Sequence, residues 1–269
     1  MKNKTYLANY IFIGICFLLG IVFISYGVQV LWILPVIVVL IISGILMKES
    51  RKIASVLVMF LFSFYAYVAL SDLFKLYTNA LELIVLVDRI LLLIIILGLL
   101  AIAKVMRIPF SMQLQKPKWE NRIYFPFITH GFHSIPIRLF YVFSIIGSVV
   151  CFSANVFFFG NWGGMKDIVL FAVAFSILNA TLEELLWRGS LFQILSRHVS
   201  MIYALIVTSL AFGLHHIALG IPFAAALSFS IGGFFFAVVM SRSESVFPSI
   251  VWHMIINFLM VLSGFIIPY

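Results

Sequence analysis

Nine stretches of continuous apolar sequence follow one another along the chain, at about 6–28, 31–47, 53–74, 86–105, 139–159, 168–195, 201–218, 222–241 and 246–267. Most are close to the roughly 20 residues a helix needs to cross the hydrocarbon layer of a membrane. No other feature limits the fold so tightly. A polypeptide that is 64% hydrophobic and 10% charged lacks the polar residues to cover a water-soluble globule. The runs do not alternate with period two, so each segment satisfies its own backbone as a helix instead of joining a barrel. The expected fold is all-α, a polytopic transmembrane bundle of about nine helices in which the second is short and the sixth long.

Lys and Arg collect at the cytoplasmic ends of membrane helices. With the N-terminus inside and the C-terminus outside, Lys75 and Lys166 alone of the 17 Lys and Arg fall outside, Arg89 and Arg188 lie within apolar segments, and the others flank the cytoplasmic side. The net charge of +8 is then a topology signal together with attraction to anionic lipid. The expected location is a cell membrane, with the bacterial cytoplasmic membrane the best match. The expected partners are membrane lipid and a membrane-associated peptide or protein substrate, with no nucleic acid. The opening MKNKTYLANY reads as the start of a retained first helix, since no small-x-small cleavage site closes the run. The closing FIIPY holds no prenylation motif. Cys16 and Cys151 lie inside apolar runs and are expected to be buried as small hydrophobes, without a disulfide.

One long polar break, residues 106–138, mixes proline, aromatic and basic residues and reads as a cytoplasmic, interfacial linker. It divides an N-terminal four-helix unit, 1–105, from a five-helix unit, 139–269. His130 and His133 belong to it and read as interfacial. No internal repeat relates the halves, which argues against a transporter built on inverted repeats. Asp88 and Arg89 sit near the outer end of the fourth run, where they are expected to reach the interface. Gly232 and Gly233, with Ser228 and Ser230 a turn earlier, are expected to serve close helix packing.

The sixth run contains NATLEELLWRGSLFQIL, residues 179–195. Its Glu183, Glu184 and Arg188 would together cost about 7 to 10 kcal/mol at the bilayer centre if unpaired. Glu184 and Arg188 stand at i and i+4 with the acid N-terminal, the favourable order for a helical ion pair. Glu183 points about 100° away and has no cation three or four residues from it, so its partner must come from another helix. His215 and His216 in AFGLHHIALG, and His253 and Asn257 at i and i+4 in VWHMIINF, fall in the same layer, about 12 to 20 Å from the cytoplasmic face at 1.5 Å per residue.

Such a layer has two readings. One is packing, in which buried polar groups fix helix register. The other is hydrolysis, in which Glu183 is the general base that activates water, a histidine relays the proton, and His253 and Asn257 donate to a forming oxyanion. Metal-free chemistry is favoured and no cofactor is required. Zinc is the rival, held by Glu183, His216 and His253 as a three-ligand site, although HExxH is absent. Deep burial predicts lateral or cytoplasmic access for the substrate.

The sequence EELLWR from Glu183 to Arg188 resembles the EExxxR motif of the CAAX-protease and bacteriocin-processing (CPBP, or Abi) family of intramembrane proteases. Phe212 to His216 resembles its FxxxH motif and His253 to Asn257 its HxxxN motif, in the same order. The resemblance covers about residues 168–262. It implies an α-helical membrane endopeptidase, with Glu183 and His216 activating water, His253 and Asn257 forming the oxyanion site, and Glu184, Arg188 and Phe212 in support. His215, next to the motif position, is an alternative to His216. Family members in eukaryotes remove the C-terminal tripeptide after a prenylated cysteine, and bacterial relatives are linked to bacteriocin self-immunity and peptide maturation. Two other functions compete with peptidase: a non-catalytic immunity or regulatory scaffold, and a proton-coupled transporter.

Overall fold

The computed structural model describes residues 2–27, 30–126, 128–159 and 165–266. The side chains of Lys2, Lys4 and Lys166, and the last residue of the ninth expected run, Ile267, lie outside the described residues. The helices are α1 (Lys2–Ser25), α2 (Val30–Leu46), α3 (Arg51–Lys75), α4 (Leu81–Val105), α5 (Ile137–Phe159), α6 (Met165–Glu184), α7 (Gln193–Ser196), α8 (Met201–His215), α9 (Phe223–Ser243) and α10 (Phe247–Leu262). A π-helical stretch, Leu185–Phe192, joins α6 to α7, so the sixth expected run is one long rod.

Among the described residues, seven helices are long and apolar enough to cross a membrane. The second and ninth expected runs form shorter apolar helices, α2 with 17 residues and α10 with 16. At 1.5 Å per residue, α10 covers about 24 Å of a hydrocarbon layer of about 30 Å.

The fold is all-α apart from one feature. Residues 106–138 carry an antiparallel hairpin, β1 (Arg122–Pro126) and β2 (Gly131–Pro136). The segment before it seats on the turn between α9 and α10. The Lys118 amide donates to Ser243 O at 2.8 Å, the Val246 amide to Gln113 O at 2.9 Å, and Ser245 Oγ to Gln115 O at 2.7 Å. Arg242 Nε donates to Arg122 O at 2.8 Å, which ties the hairpin to the same end of the bundle. His130 and His133 are exposed there.

One contiguous cluster of buried apolar side chains runs from Ile13 of α1 to Trp252 of α10. α6 packs on α10 and α4, and α8 on α9 and α1. Lipid and apolar side chains are equally oily, so close approach of small residues substitutes for a hydrophobic driving force between membrane helices. On the α8–α9 seam that role falls to Gly213, where a Cβ would collide with Ser230 Oγ and stand 2.6 Å from Ala226 O. A Cβ on Gly233 would sit 2.8 Å from Phe212. Gly232 and Ser228 do not share the task expected of them: a Cβ on Gly232 meets only Phe236, at 3.9 Å, and Ser228 is exposed. In the spans, 56% of the α6–α7 rod is buried but only 6% of α5. α5 is therefore a peripheral, lipid-facing helix, and Cys151 on it is exposed instead of buried; neither cysteine forms a disulfide.

Candidate active site

The π-helical stretch begins immediately after Glu184. An extra residue per turn widens the helix there and changes the angular spacing of the side chains that follow, which is why such stretches recur at functional sites. Arg188 still reaches back, and its Nη1 donates to Glu184 Oε1 at 2.9 Å with both side chains buried. Arg188 Nη2 donates to Gly233 O at 2.9 Å, and the guanidinium lies 4.4 Å from the centre of the Phe212 ring. A buried cation is tolerated because a carboxylate, a carbonyl and an aromatic face surround it.

Glu183 also has a cation. Arg89 Nη1 on α4 donates to Glu183 Oε1 at 3.1 Å and to Asn179 Oδ1, one turn earlier on α6, at 3.0 Å. Arg89 is 4% exposed and Asp88 6%, so neither reaches the interface as expected. Asp88 Oδ1 instead accepts from Ser71 Oγ at 2.6 Å. The partner of Glu183 thus comes from an earlier helix as well as from the later ones. The signal for it in the sequence was an arginine in an apolar run with no acid beside it except Asp88.

The other expected residues gather around the two glutamates. His215 Nε2 lies 3.5 Å from Glu183 Oε1, and His253 Nε2 3.6 Å from Glu183 Oε2. His253 Nδ1 is 2.9 Å from Glu184 Oε1. Because a carboxylate only accepts, that nitrogen carries the proton. The Nδ1 atoms of His215 and His216 both face Phe212 O, at 2.7 and 2.8 Å. A carbonyl also only accepts, so both rings are protonated at Nδ1 and present Nε2 as a lone pair when neutral. Phe212 holds both histidines with its carbonyl and covers Arg188 with its ring. The chain turns away directly after them, through a 3₁₀ turn, His216–Leu219, that ends at Gly220 with φ +83°, a left-handed conformation that glycine adopts without strain.

Glu183, His215 and His216 offer ligand atoms that all lie within 4.8 Å of one another. This set differs from the expected zinc ligands, with His215 in place of His253, whose Nδ1 is engaged by Glu184. Two imidazoles oriented by a backbone carbonyl, together with a carboxylate, fit a divalent cation by donor type.

The layer borders a cavity of about 1200 Å3 whose lining includes Arg89, Asn179, Phe212, His216, His253 and Asn257. Asn257 is 4% exposed, and its Nδ2 has no hydrogen-bond partner. Glu183 Oε2 is likewise buried without one. Arg89 Nε, Glu184 Oε2 and His215 Nε2 also lack a partner, so the layer keeps unsatisfied donors and acceptors, of which Asn257 Nδ2 belongs to a residue that lines the cavity.

Residues 165–259 match the family model described as type II CAAX prenyl endopeptidase Rce1-like. The match runs from α6 into α10 and includes Glu183, Glu184, Arg188, Phe212, His215, His216, His253 and Asn257; α1 to α5, with Arg89, lie outside it. No curated protein matches the chain, and no solved structure does.

Proposed function

We propose that this chain, with residues 165–259 similar to type II CAAX prenyl endopeptidases, is a membrane-embedded endopeptidase acting on a membrane-associated peptide. The observation that carries the reading is Glu183 Oε2, a buried carboxylate oxygen with no hydrogen-bond partner, in a cluster with His215 and His216 beside a large apolar cavity. Arg89 positions Glu183 by its other oxygen. Glu183 takes a proton from water as the water oxygen attacks the scissile carbonyl carbon. The oxyanion receives a hydrogen bond from Asn257 Nδ2 and a second from His253 when its Nε2 carries a proton, the ring being held through Nδ1 by Glu184 at 2.9 Å. The proton then passes to the leaving nitrogen as the C–N bond breaks, giving a carboxylate and an amine. His216, which lines the cavity, assists the transfer.

A divalent ion such as zinc, held by Glu183, His215 and His216, would supply a water acidified by the metal. Arg89 already places a full positive charge 3.1 Å from the Glu183 carboxylate, and this favours the metal-free form. A non-catalytic immunity or regulatory scaffold is the second reading, because so many of the polar groups satisfy one another. The deciding experiment compares membrane-bound and released peptides by mass spectrometry in cells expressing wild type or Glu183→Gln at equal levels. A precursor that accumulates only with Glu183→Gln, and a shortened product only with wild type, is expected. Identical peptide profiles would leave the scaffold.

A further inference from the structure

The cavity is one-sided. Helices in the bundle alternate in direction, so the start of α3, the end of α4, the starts of α5, α8 and α10 and the end of α9 share one end. That end holds Lys48, Arg51, Lys52, Lys104, Arg107, Arg138, Arg197 and Arg242 and, through the contacts of residues 113–122 with 242–246, the hairpin. None of these residues lines the cavity. The lining reaches the opposite end at four places: Lys75 at the end of α3, Leu81 at the start of α4, Leu219 to Pro222 between α8 and α9, and Phe265 and Ile266 beyond α10.

Exposure follows the same axis. Down one face of α4, Leu81 is 45% exposed, Ile84 and Val85 are half-buried, and Asp88 and Arg89 are buried. Down α10, Phe265 is 55% exposed while Asn257, His253 and Trp252 are buried. The lining also includes Ser148 and Phe152 of peripheral α5 and the exposed Ile231 and Phe235 of α9, so the cavity has a flank toward lipid between these two helices. The site is therefore the closed bottom of a funnel whose rim lies at the end away from the basic residues.

We infer that the site is reached from the extracytoplasmic half of the membrane, and that its substrate is an apolar, membrane-anchored peptide already exposed at that face. Lys and Arg flanking the helices fix the hairpin end as cytoplasmic, which leaves the rim outside. This replaces the cytoplasmic access expected from burial alone and keeps the lateral route, between α5 and α9. A continuous substrate helix hides its carbonyls in its own hydrogen bonds, so the peptide enters as an extended or frayed segment, with apolar side chains against Phe229, Phe235 and Phe265. The substrate part rests on the peptidase reading; the sidedness of the funnel does not.

The test separates the two. In the full chain with Cys16→Ala and Cys151→Ala, single cysteines are placed on the funnel wall (Ser228→Cys and, as a second position, Ala225→Cys) and at the basic end (Lys116→Cys). A membrane-impermeant maleimide is applied to intact spheroplasts and to inside-out vesicles. Labelling of the two funnel cysteines is expected from the outside and lost in inside-out vesicles, with Lys116→Cys showing the reverse. Funnel labelling only from the cytoplasmic side, labelling from neither side, or Lys116→Cys reacting on the same side as Ser228→Cys would each overturn the inference. Outside labelling combined with peptide profiles unchanged by Glu183→Gln would overturn the substrate assignment and the peptidase reading while leaving the sidedness standing.

Discussion

The α6–α10 region and the four helices before the hairpin contribute to the polar layer in different ways. The first supplies a motif-bearing set, Glu183, Glu184, His215, His216, His253, Asn257 and Arg188, in which Glu184 and Arg188 pair at i and i+4. The second supplies few polar side chains but reaches the centre of the site with Arg89, and with Phe60 and Phe64, which pack 5.3 Å from Trp187 and 6.5 Å from His215 between ring centres. Glu184 is neutralised from its own helix and Glu183 from α4. The chemistry is thus concentrated in one region, while the position and charge balance of its central carboxylate depend on the other.

The sharpest way to break that division is to remove the base itself. Glu183→Gln is nearly isosteric and can still accept the hydrogen bond from Arg89 but cannot take a proton. Cleavage of the precursor found by peptide profiling is expected to fall by about 10³-fold or more at matched protein levels, with some loss of stability as well, because Arg89 loses its buried counter-charge. Asn257→Ala comes next. It removes a donor that has no other partner, so turnover is expected to drop about 100-fold or more without loss of stability. A destabilised Asn257→Ala protein would mean that the amide packs the bundle instead of meeting substrate.

Arg89→Gln tests the other region. Kinetics should show kcat lowered about 100-fold with KM little changed, the signature of a misplaced base. Unfolding in mixed micelles should show a loss of about 3 to 5 kcal/mol, because Glu183 is left as a buried, uncompensated charge. Combining Arg89→Gln with Glu183→Gln is expected to restore most of that stability, a non-additivity that identifies the pair directly. Additive losses would place Arg89 outside the functional layer and return the first four helices to a purely structural role.

What the sequence disclosed follows the reach of its periodicities. The Glu184–Arg188 pair is an i, i+4 relation and can be read from five residues. The common depth of Glu183, His215, His216, His253 and Asn257 can be counted from helix ends, and each of these side chains is buried. Arg89 is 94 positions from its partner, so no local spacing connects them. The apolar count also began the fourth run at about 86, past Glu82, whereas α4 starts at Leu81; those added residues carry Arg89 about two turns in from the helix end. Which histidine faces Glu183 was equally hidden. α8 ends in a 3₁₀ turn at that point, and both rings share the Phe212 carbonyl, a geometry that α-helical spacing does not foretell. The hairpin was obscured by proline and aromatic residues that gave no clean alternation.

The smallest expected effect lies where the segment before the hairpin meets the α9–α10 turn. Lys118 Nζ donates to Glu244 Oε2 at 2.6 Å, and Asn121 Nδ2 donates to Glu244 Oε1 at 3.4 Å. These contacts, that of Lys118 foremost, hold the Glu244 carboxyl below the usual carboxylate range. A carboxyl lowered on folding adds stability that is complete above its unfolded value of about 4.3 and is lost as pH falls through the lower folded value. Lys118→Ala should therefore lower the unfolding midpoint slightly at pH 7, and the gap to wild type should close in strong acid or high salt. With the lysine 58% and the glutamate 43% exposed, the change should stay below about 1 kcal/mol. The backbone bond from the Lys118 amide to Ser243 O survives the substitution. A loss several times larger would mean that the side-chain pair, and not that backbone ladder, fixes where α10 begins, and with it the height at which His253 meets Glu183.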